Sequence, residues 1–179
     1  MSRDVTELRR LQSNVAALAL RDSLTGLANR RLFDELFESA VARTERSGRA
    51  LAVAFLDLDG FKGINDRHGH KAGDLVLCET ARRLLANVRG ADTVARVGGD
   101  EFVFFFEPDE QGSHDIVERV GRVLSAPIRI SSDTTVSCPA SIGVADTGSV
   151  GYDAEALLVA ADVAMYDMKR SRQNGRPVG

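Results

Sequence analysis

Apolar positions recur along the chain with two periods, and the switches between them predict its elements. Val5, Leu8, Leu11, Val15 and Leu18 fall three and four apart, so residues 5–20 predict a helix with a narrow apolar seam. Alone in water so short a helix is marginal; the seam suits packing on the domain or pairing with a second copy as the end of a coiled coil. Cap and turn formers follow in Asp22-Ser-Leu-Thr-Gly-Leu-Ala-Asn29. A second helix is predicted from Arg30 to Arg46, with Phe33, Leu36, Phe37, Ala40 and Val41 on one face and Ser47-Gly48 as its stop. Residues 50–58 are almost continuously apolar, the pattern of a central strand covered on both faces.

Helical spacing returns at residues 74–88 in Leu75, Cys78, Ala81, Leu85 and Val88. Thr93 to Val97 and Glu101 to Glu107 predict a β-hairpin around Gly98-Gly99. Ile116, Val117, Val120, Val123 and Leu124 mark another helix. Ile128 to Ile130 and Thr134 to Ala145 predict two strands about a Ser-Ser-Asp turn. The last helix runs from about Asp153 to Arg170, with Leu157, Leu158, Ala161, Met165 and Met168 inward. After the first helix the order is α-β-α-β-β-α-β-β-α. It predicts an α+β sandwich whose central, mainly antiparallel sheet is flanked by helices, and the missing strict alternation argues against a doubly wound nucleotide-binding fold.

At 179 residues and 44% hydrophobic content, the chain makes one domain with a short appendage and buries a proper core. No apolar run reaches the ~20 residues of a membrane helix, and Asp4, Glu7, Arg9 and Arg10 stand where a signal peptide would be apolar. Its start at Met1 fits either a free-standing domain or a piece of a longer protein. The two cysteines, Cys78 and Cys138, lack metal spacing and predict buried thiols in a reducing, cytoplasmic compartment. A net charge of -3 excludes a broad nucleic-acid surface, but leaves room for a polyanion held locally by a metal and a few cations.

Candidate chemistry gathers in four places. Asp57-Leu-Asp-Gly-Phe-Lys62, with Asn65 and Asp66 after it, ends an apolar strand in two carboxylates on one side. That is a hard-cation pattern, and equally a capped strand end before a solvated helix start. Arg96-Val-Gly-Gly-Asp-Glu-Phe102 places adjacent acids after a tight turn, either a ligand site or an ordinary hairpin tip. Arg89-Gly-Ala-Asp92 offers a planar fork and an acceptor, or a plain surface ion pair. The cations from Lys169 to Arg176 suit a helix C-terminus and also a triphosphate. His68 and His70 have no third soft ligand nearby, which favours packing or capping over zinc. No Ser-His-Asp or Cys-His arrangement and no phosphate-loop pattern is visible.

Together these segments resemble the GGDEF-domain family, the bacterial diguanylate cyclases, from Asp22 to about Asn174. The resemblance rests on Asp22-Ser-Leu-Thr-Gly-Leu-Ala-Asn-Arg-Arg31, Asp57-x-Asp-x-Phe-Lys-x-x-Asn-Asp66, Gly69-His-x-x-Gly-Asp74, Gly98-Gly-Asp-Glu-Phe102, Ser141-Ile-Gly143 and Ala161-Asp-x-Ala-Met-Tyr166, in fixed order. It implies a nucleotidyl-cyclase or polymerase palm-like fold and the condensation of two GTP to cyclic di-GMP with release of two pyrophosphates. It implies Mg²⁺ (or Mn²⁺) held by Asp57, Asp100 and the Leu58 carbonyl, with Glu101 organising metal or activating the hydroxyl beside Asp100. Asn65 and Asp74 match guanine-recognising positions, Gly98 and Gly99 give backbone room, and Gly60, Phe61, Lys62 and Lys169 lie near the phosphates.

Arg89 and Asp92 occupy the family's product-inhibition position, and residues 1–21 match its helical stalk, with 22–179 as the cyclase domain. The attack of one GTP on another implies a homodimer. One departure stands out: Gln173 holds the usual place of a phosphate-binding arginine, which leaves Arg172 or Arg176 as replacements. The alternative reading is a non-catalytic cyclic di-GMP or GTP-binding regulatory module, which the complete set of acids disfavours.

Overall fold

The run at 50–58 becomes the strand on which the rest is laid. In the computed structural model, which describes residues 19–90, 92–109 and 112–175, β1 spans Ala52–Leu58 and is buried at every residue. Its neighbours explain why polar alternation is missing. β1 lies between β3 (Glu101–Phe106) and β6 (Ala140–Asp146), with β2 (Thr93–Arg96) beyond β3, in an antiparallel sheet ordered β2-β3-β1-β6.

Helices cover both faces. On one, Val53 and Phe55 of β1 and Val103 and Phe105 of β3 meet Phe33, Phe37, Ala40 and Val41 of α1 (Arg30–Ser47) and Leu157, Ala161 and Met165 of α6 (Ala154–Gln173). On the other, Ala52, Ala54, Leu56, Phe102 and Phe104 meet α3 (His70–Asn87) through Val76, Leu77 and Leu84, and α4 (His114–Leu124) through Ile116, Val120 and Leu124. The predicted α+β sandwich is therefore the architecture found. Asn29 caps α1 by accepting from the Leu32 amide, and Gly48 closes it at φ 67°.

The structure differs from the sequence reading in several places. A short helix, α2 (Phe61–His68), precedes α3, and α3 itself begins four residues before the expected start at 74. Glycines at 60, 63, 69 and 73 interrupt the apolar period there. The expected strand from Thr134 to Ala145 is two: β5 (Thr135–Val136) pairs with β4 (Ile128–Arg129) in a separate ribbon, while β6 starts at Ala140 and pairs with β1. Pro139, which cannot donate to a ladder, stands at the break. A single turn, α5 (Thr147–Val150), follows β6 under the Asp146 cap. Of the two free thiols Cys138 is buried, but Cys78 is only half-buried. His68 and His70 are exposed at the two sides of the Gly69 joint rather than packed. The predicted helix at 5–20 lies, but for its last two residues, outside the described residues, and so does Arg176. No helix among the described residues is long and apolar enough to cross a membrane.

α6 approaches β6 so closely that a Cβ on Gly143 would collide with the Ala161 carbonyl oxygen and the Met165 amide nitrogen. Neither obstacle is a flexible side chain. Gly143→Ala is expected to lower unfolding stability by about 2 kcal/mol or more, measured by urea titration. An unchanged midpoint would show that α6 yields easily.

Candidate active site at the end of the central strand

Antiparallel register sets Asp57 directly opposite Glu101 and Ser141, so the last polar position of β1 faces polar positions on both neighbours. The Leu58 amide donates to the Asp100 carbonyl at 3.1 Å, which ties the signature turn to the strand end. Asp57, Asp100 and Glu101, read from two separate motifs, thus converge. Burial, then the Asp57 charge, pushes the Asp100 carboxyl above the usual range. Glu101 is raised by burial and then by Asp57, Asp100 and Asp162. Like charges this close favour a proton or a cation among them.

A cation of the chain itself supplies part of that need. α6 brings Lys169 to Asp57, Nζ to Oδ1 at 2.6 Å, and this hydrogen bond raises the lysine above its ordinary value. Arg172, one turn on, donates from Nη1 to Asp59 Oδ2 at 2.8 Å and to the Ala140 carbonyl at 2.9 Å. The Ser141 hydroxyl also donates to Asp59, at 2.8 and 3.1 Å. Below them burial, helped by the nearby aspartates, pushes the Cys138 thiol up to about 12, which keeps it inert.

The remaining predicted residues line the approach to this cluster. Gly60 holds the left-handed conformation, φ 76°, that turns the chain from β1 into α2, and Lys62 is exposed on the first turn of that helix. Phe61 and Asn65 pack over Gly73, where a Cβ would collide with Asn65 Oδ1. That contact sets Asn65 beside the exposed Asp74, one residue further along α3. At Gly98 a Cβ would meet the Glu101 carboxylate, the movable end of a side chain, whereas Gly99 borders open space. Neither glycine has a positive φ.

Arg89 and Asp92 are elsewhere, beyond the far end of β3. The Asp92 carboxylate accepts from the Arg89 amide at 2.7 Å, burial raises its pKa, and the Arg89 guanidinium donates to Asp109 at 2.9 Å. Two hollows flank the pair, one of about 430 Å³ with Arg119 and one of about 830 Å³ with Arg43 and Arg49.

Sequence reasoning assigns no role to the residues that brace the site, although Arg96 and Asp22 stand in its motifs. Arg96 donates to both oxygens of Asp22, at 3.2 and 3.1 Å, and to the Gly99 carbonyl at 3.2 and 2.7 Å, joining the entry turn to the signature turn. Burial works to raise the Asp22 pKa, but hydrogen bonds from Thr25 and the Arg96 charge outweigh it and hold it low. Arg43, Arg49 and Arg119 are likewise unassigned, and Gly73 is given no role beyond its place in a motif. The signal for Gly73 was its place in Gly69-His-x-x-Gly-Asp74; the arginines carried none.

Antiparallel strands under two helical layers, with acids gathered where the central strand meets a glycine hairpin, define a palm-like fold of the nucleotidyl-cyclase type. The chain belongs to the GGDEF domain family: the profile described as diguanylate cyclase, GGDEF domain, matches residues 19–175. The Pseudomonas aeruginosa protein named bifunctional diguanylate cyclase/cyclic di-GMP phosphodiesterase MucR is 44% identical over 171 residues, 95% of this chain and 25% of that protein. Diguanylate cyclase TpbB of the same species is 41% identical over 172 residues, 93% of this chain and 40% of the relative. The chain therefore spans less than half the length of either. Among solved structures, the coiled coil and GGDEF domain of DgcB from Caulobacter crescentus, in complex with c-di-GMP, superposes with a TM-score of 0.85 at 29% identity, covering 98% of this chain and 92% of that one.

Arg96→Met removes a largely buried guanidinium that holds two turns together. It is expected to destabilise the fold by about 2 kcal/mol and to speed amide exchange at residues 97–101. Exchange unchanged there would show that the turn holds itself.

Proposed function

We propose that this domain is a diguanylate cyclase, joining two GTP into cyclic di-GMP with loss of two pyrophosphates. The observation that carries the reading is the register-fixed convergence of Asp57, Asp100 and Glu101 with Lys169 already among them. A regulatory module that only bound nucleotide would have no need to crowd acids at this cost in repulsion.

The donor set suits a hard divalent cation. Asp57 already accepts a cationic group, and burial beside Asp57 makes an ionised Asp100 costly without a counter-charge. Among the described residues no three His, Cys, Asp or Glu side chains form a metal cluster by themselves. Asp57, Asp100 and the Leu58 carbonyl would therefore share Mg²⁺ or Mn²⁺ with substrate phosphates. Such ions, when bound, neutralise charge on the reacting phosphate and its leaving group.

The chain's own groups do the rest. Asn65 and Asp74 read guanine: a carboxylate accepts from N1–H and the exocyclic amine, a pattern adenine lacks. Lys62 and Lys169 meet the phosphates, Lys169 by leaving Asp57. Glu101, beside Asp57 and Asp100, organises the metal or activates the ribose 3′-hydroxyl. The attacking hydroxyl belongs to a GTP on a second domain, so turnover requires a homodimer, which residues 1–21 would pair as a stalk. A nucleotide substrate and two free thiols suit a cytoplasmic domain. The Arg89–Asp92 pair and the arginines around its hollows suit the product, a cyclic dianion with two guanine edges, as a feedback inhibitor.

Incubation with GTP and Mg²⁺ is expected to yield cyclic di-GMP by chromatography, with ATP giving no cyclic dinucleotide. Asp100→Ala should lower the rate at least about a hundredfold with an unchanged circular dichroism spectrum. Absence of product at high protein concentration would favour the binding module. Separately, Arg89→Ala is expected to raise the cyclic di-GMP concentration for half-inhibition about tenfold; an unchanged value would remove the pair from product binding.

A further inference from the structure

The last turns of α6 carry three cations with different fates. Arg170 lies over the Tyr166 ring, 5.9 Å from its centroid. Lys169 and Arg172, three apart on the helix, meet Asp57 and Asp59, two apart on the chain, as parallel rungs. The rungs are unlike. Lys169 holds Asp57 through one flexible ammonium, whereas Arg172 uses a single guanidinium nitrogen, Nη1, to reach both a carboxylate and the first carbonyl of β6.

Asp59 is the fixed point of the second rung. Its amide donates to the Pro139 carbonyl at 2.8 Å, its carbonyl accepts from the Cys138 thiol at 3.6 Å, and its carboxylate takes Ser141 and Arg172. Every polar group it owns is engaged. The residues that follow, Gly60, Phe61 and Lys62, open α2, whose N-terminal amides take no side-chain cap. A triphosphate arriving at this turn would meet a carboxylate that Arg172 neutralises by direct contact, with the Lys169 charge acting on it from further off.

We propose that Arg172 is a positioning residue for substrate phosphates: it cancels the Asp59 charge and locks the Asp59–Lys62 turn, while Lys169 is the rung that opens. This extends the cyclase reading, on which it rests, and explains how the site is prepared with neutral Gln173 next in the chain. Arg172 remains on Asp59 when substrate binds and acts on the phosphates through that carboxylate and the turn it fixes.

The test is a charge cycle on Arg172→Ala, Asp59→Asn and the double variant, followed by steady-state kinetics with GTP. Arg172→Ala is expected to raise KM about tenfold with kcat within about threefold. The double variant should recover most of that loss, because the uncompensated carboxylate is gone. A KM for Arg172→Ala within twofold of wild type, or a double variant as poor as Arg172→Ala, would overturn the proposal. Arg172→Lys should recover only part of the KM. Binding of a non-hydrolysable GTP analogue by calorimetry and amide exchange at residues 59–62 read the same cycle without turnover. An inactive wild type whose analogue affinity still follows the cycle would sink the cyclase reading and leave this one standing. An analogue affinity and an exchange rate blind to Arg172 would sink this one alone.

Discussion

Four carboxylates, Asp57, Asp59, Asp100 and Glu101, are held near one another by backbone that gives them little freedom to separate. β1 is buried along its whole length and hydrogen-bonded on both sides, and the Asp100 carbonyl is tied to its end. In water such acids would drift apart; here repulsion has to be answered by positive charge or by protons. Everything polar around the site follows from that requirement. Burial first and the neighbouring acids after it raise the Asp100 and Glu101 pKa values, while Lys169 and Arg172 answer Asp57 and Asp59 from within the chain.

Positive charge arrives there because of a packing detail. Gly143 lets α6 sit backbone to backbone on β6, and from that contact at Ala161 and Met165 the next turn places Lys169 opposite Asp57. Ser141, two residues before Gly143 on the same face, bonds Asp59. The Ser141-Ile-Gly143 motif is thus a spacer: one residue allows the helix in, and the other fastens the turn that the helix serves. The uncommitted amide of Ile142 on this edge strand is covered by the Met168 sulfur. Stability and site geometry are set by the same few contacts, so substitutions along this seam report on both.

Which features could be read in the chain depends on what their signals were made of. The long elements were legible because burial on one face writes a period, as Phe33, Phe37, Ala40 and Val41 do for α1. The short helix α2 left no such trace, since Ile64 is its sole fully buried residue. The strand expected from 134 to 145 broke because apolar content does not say which ribbon a residue joins. The acids were legible as spacing within each motif. Their partners were not: Arg96 to Asp22 and Arg172 to Asp59 cross 74 and 113 residues of chain, and only the fold brings them together. Resemblance put a phosphate-binding arginine at position 173; the cation that the fold brings to Asp59 is Arg172.

The same strand that delivers Glu101 to the acids ends at Phe106, beside the hollows flanked by Arg89 and Asp92. Five residues of β3 separate the two regions, about 17 Å. β3 is a central strand, fully paired and buried from Phe102 to Phe106, with the Phe33–Phe37–Phe105 rings packed on one face and Phe104 and Phe106 stacked on the other. A close-packed element of that kind has no second arrangement to adopt, so it is a poor conduit for a shape change. On the proposed reading, product held at Arg89 and Asp92 therefore acts without distorting the acids. The exposed arginines around the hollows point to the remaining route: product bridges one domain to another surface and prevents two substrate-loaded sites from meeting. Inhibition of that kind leaves GTP binding to each domain intact and removes only the encounter.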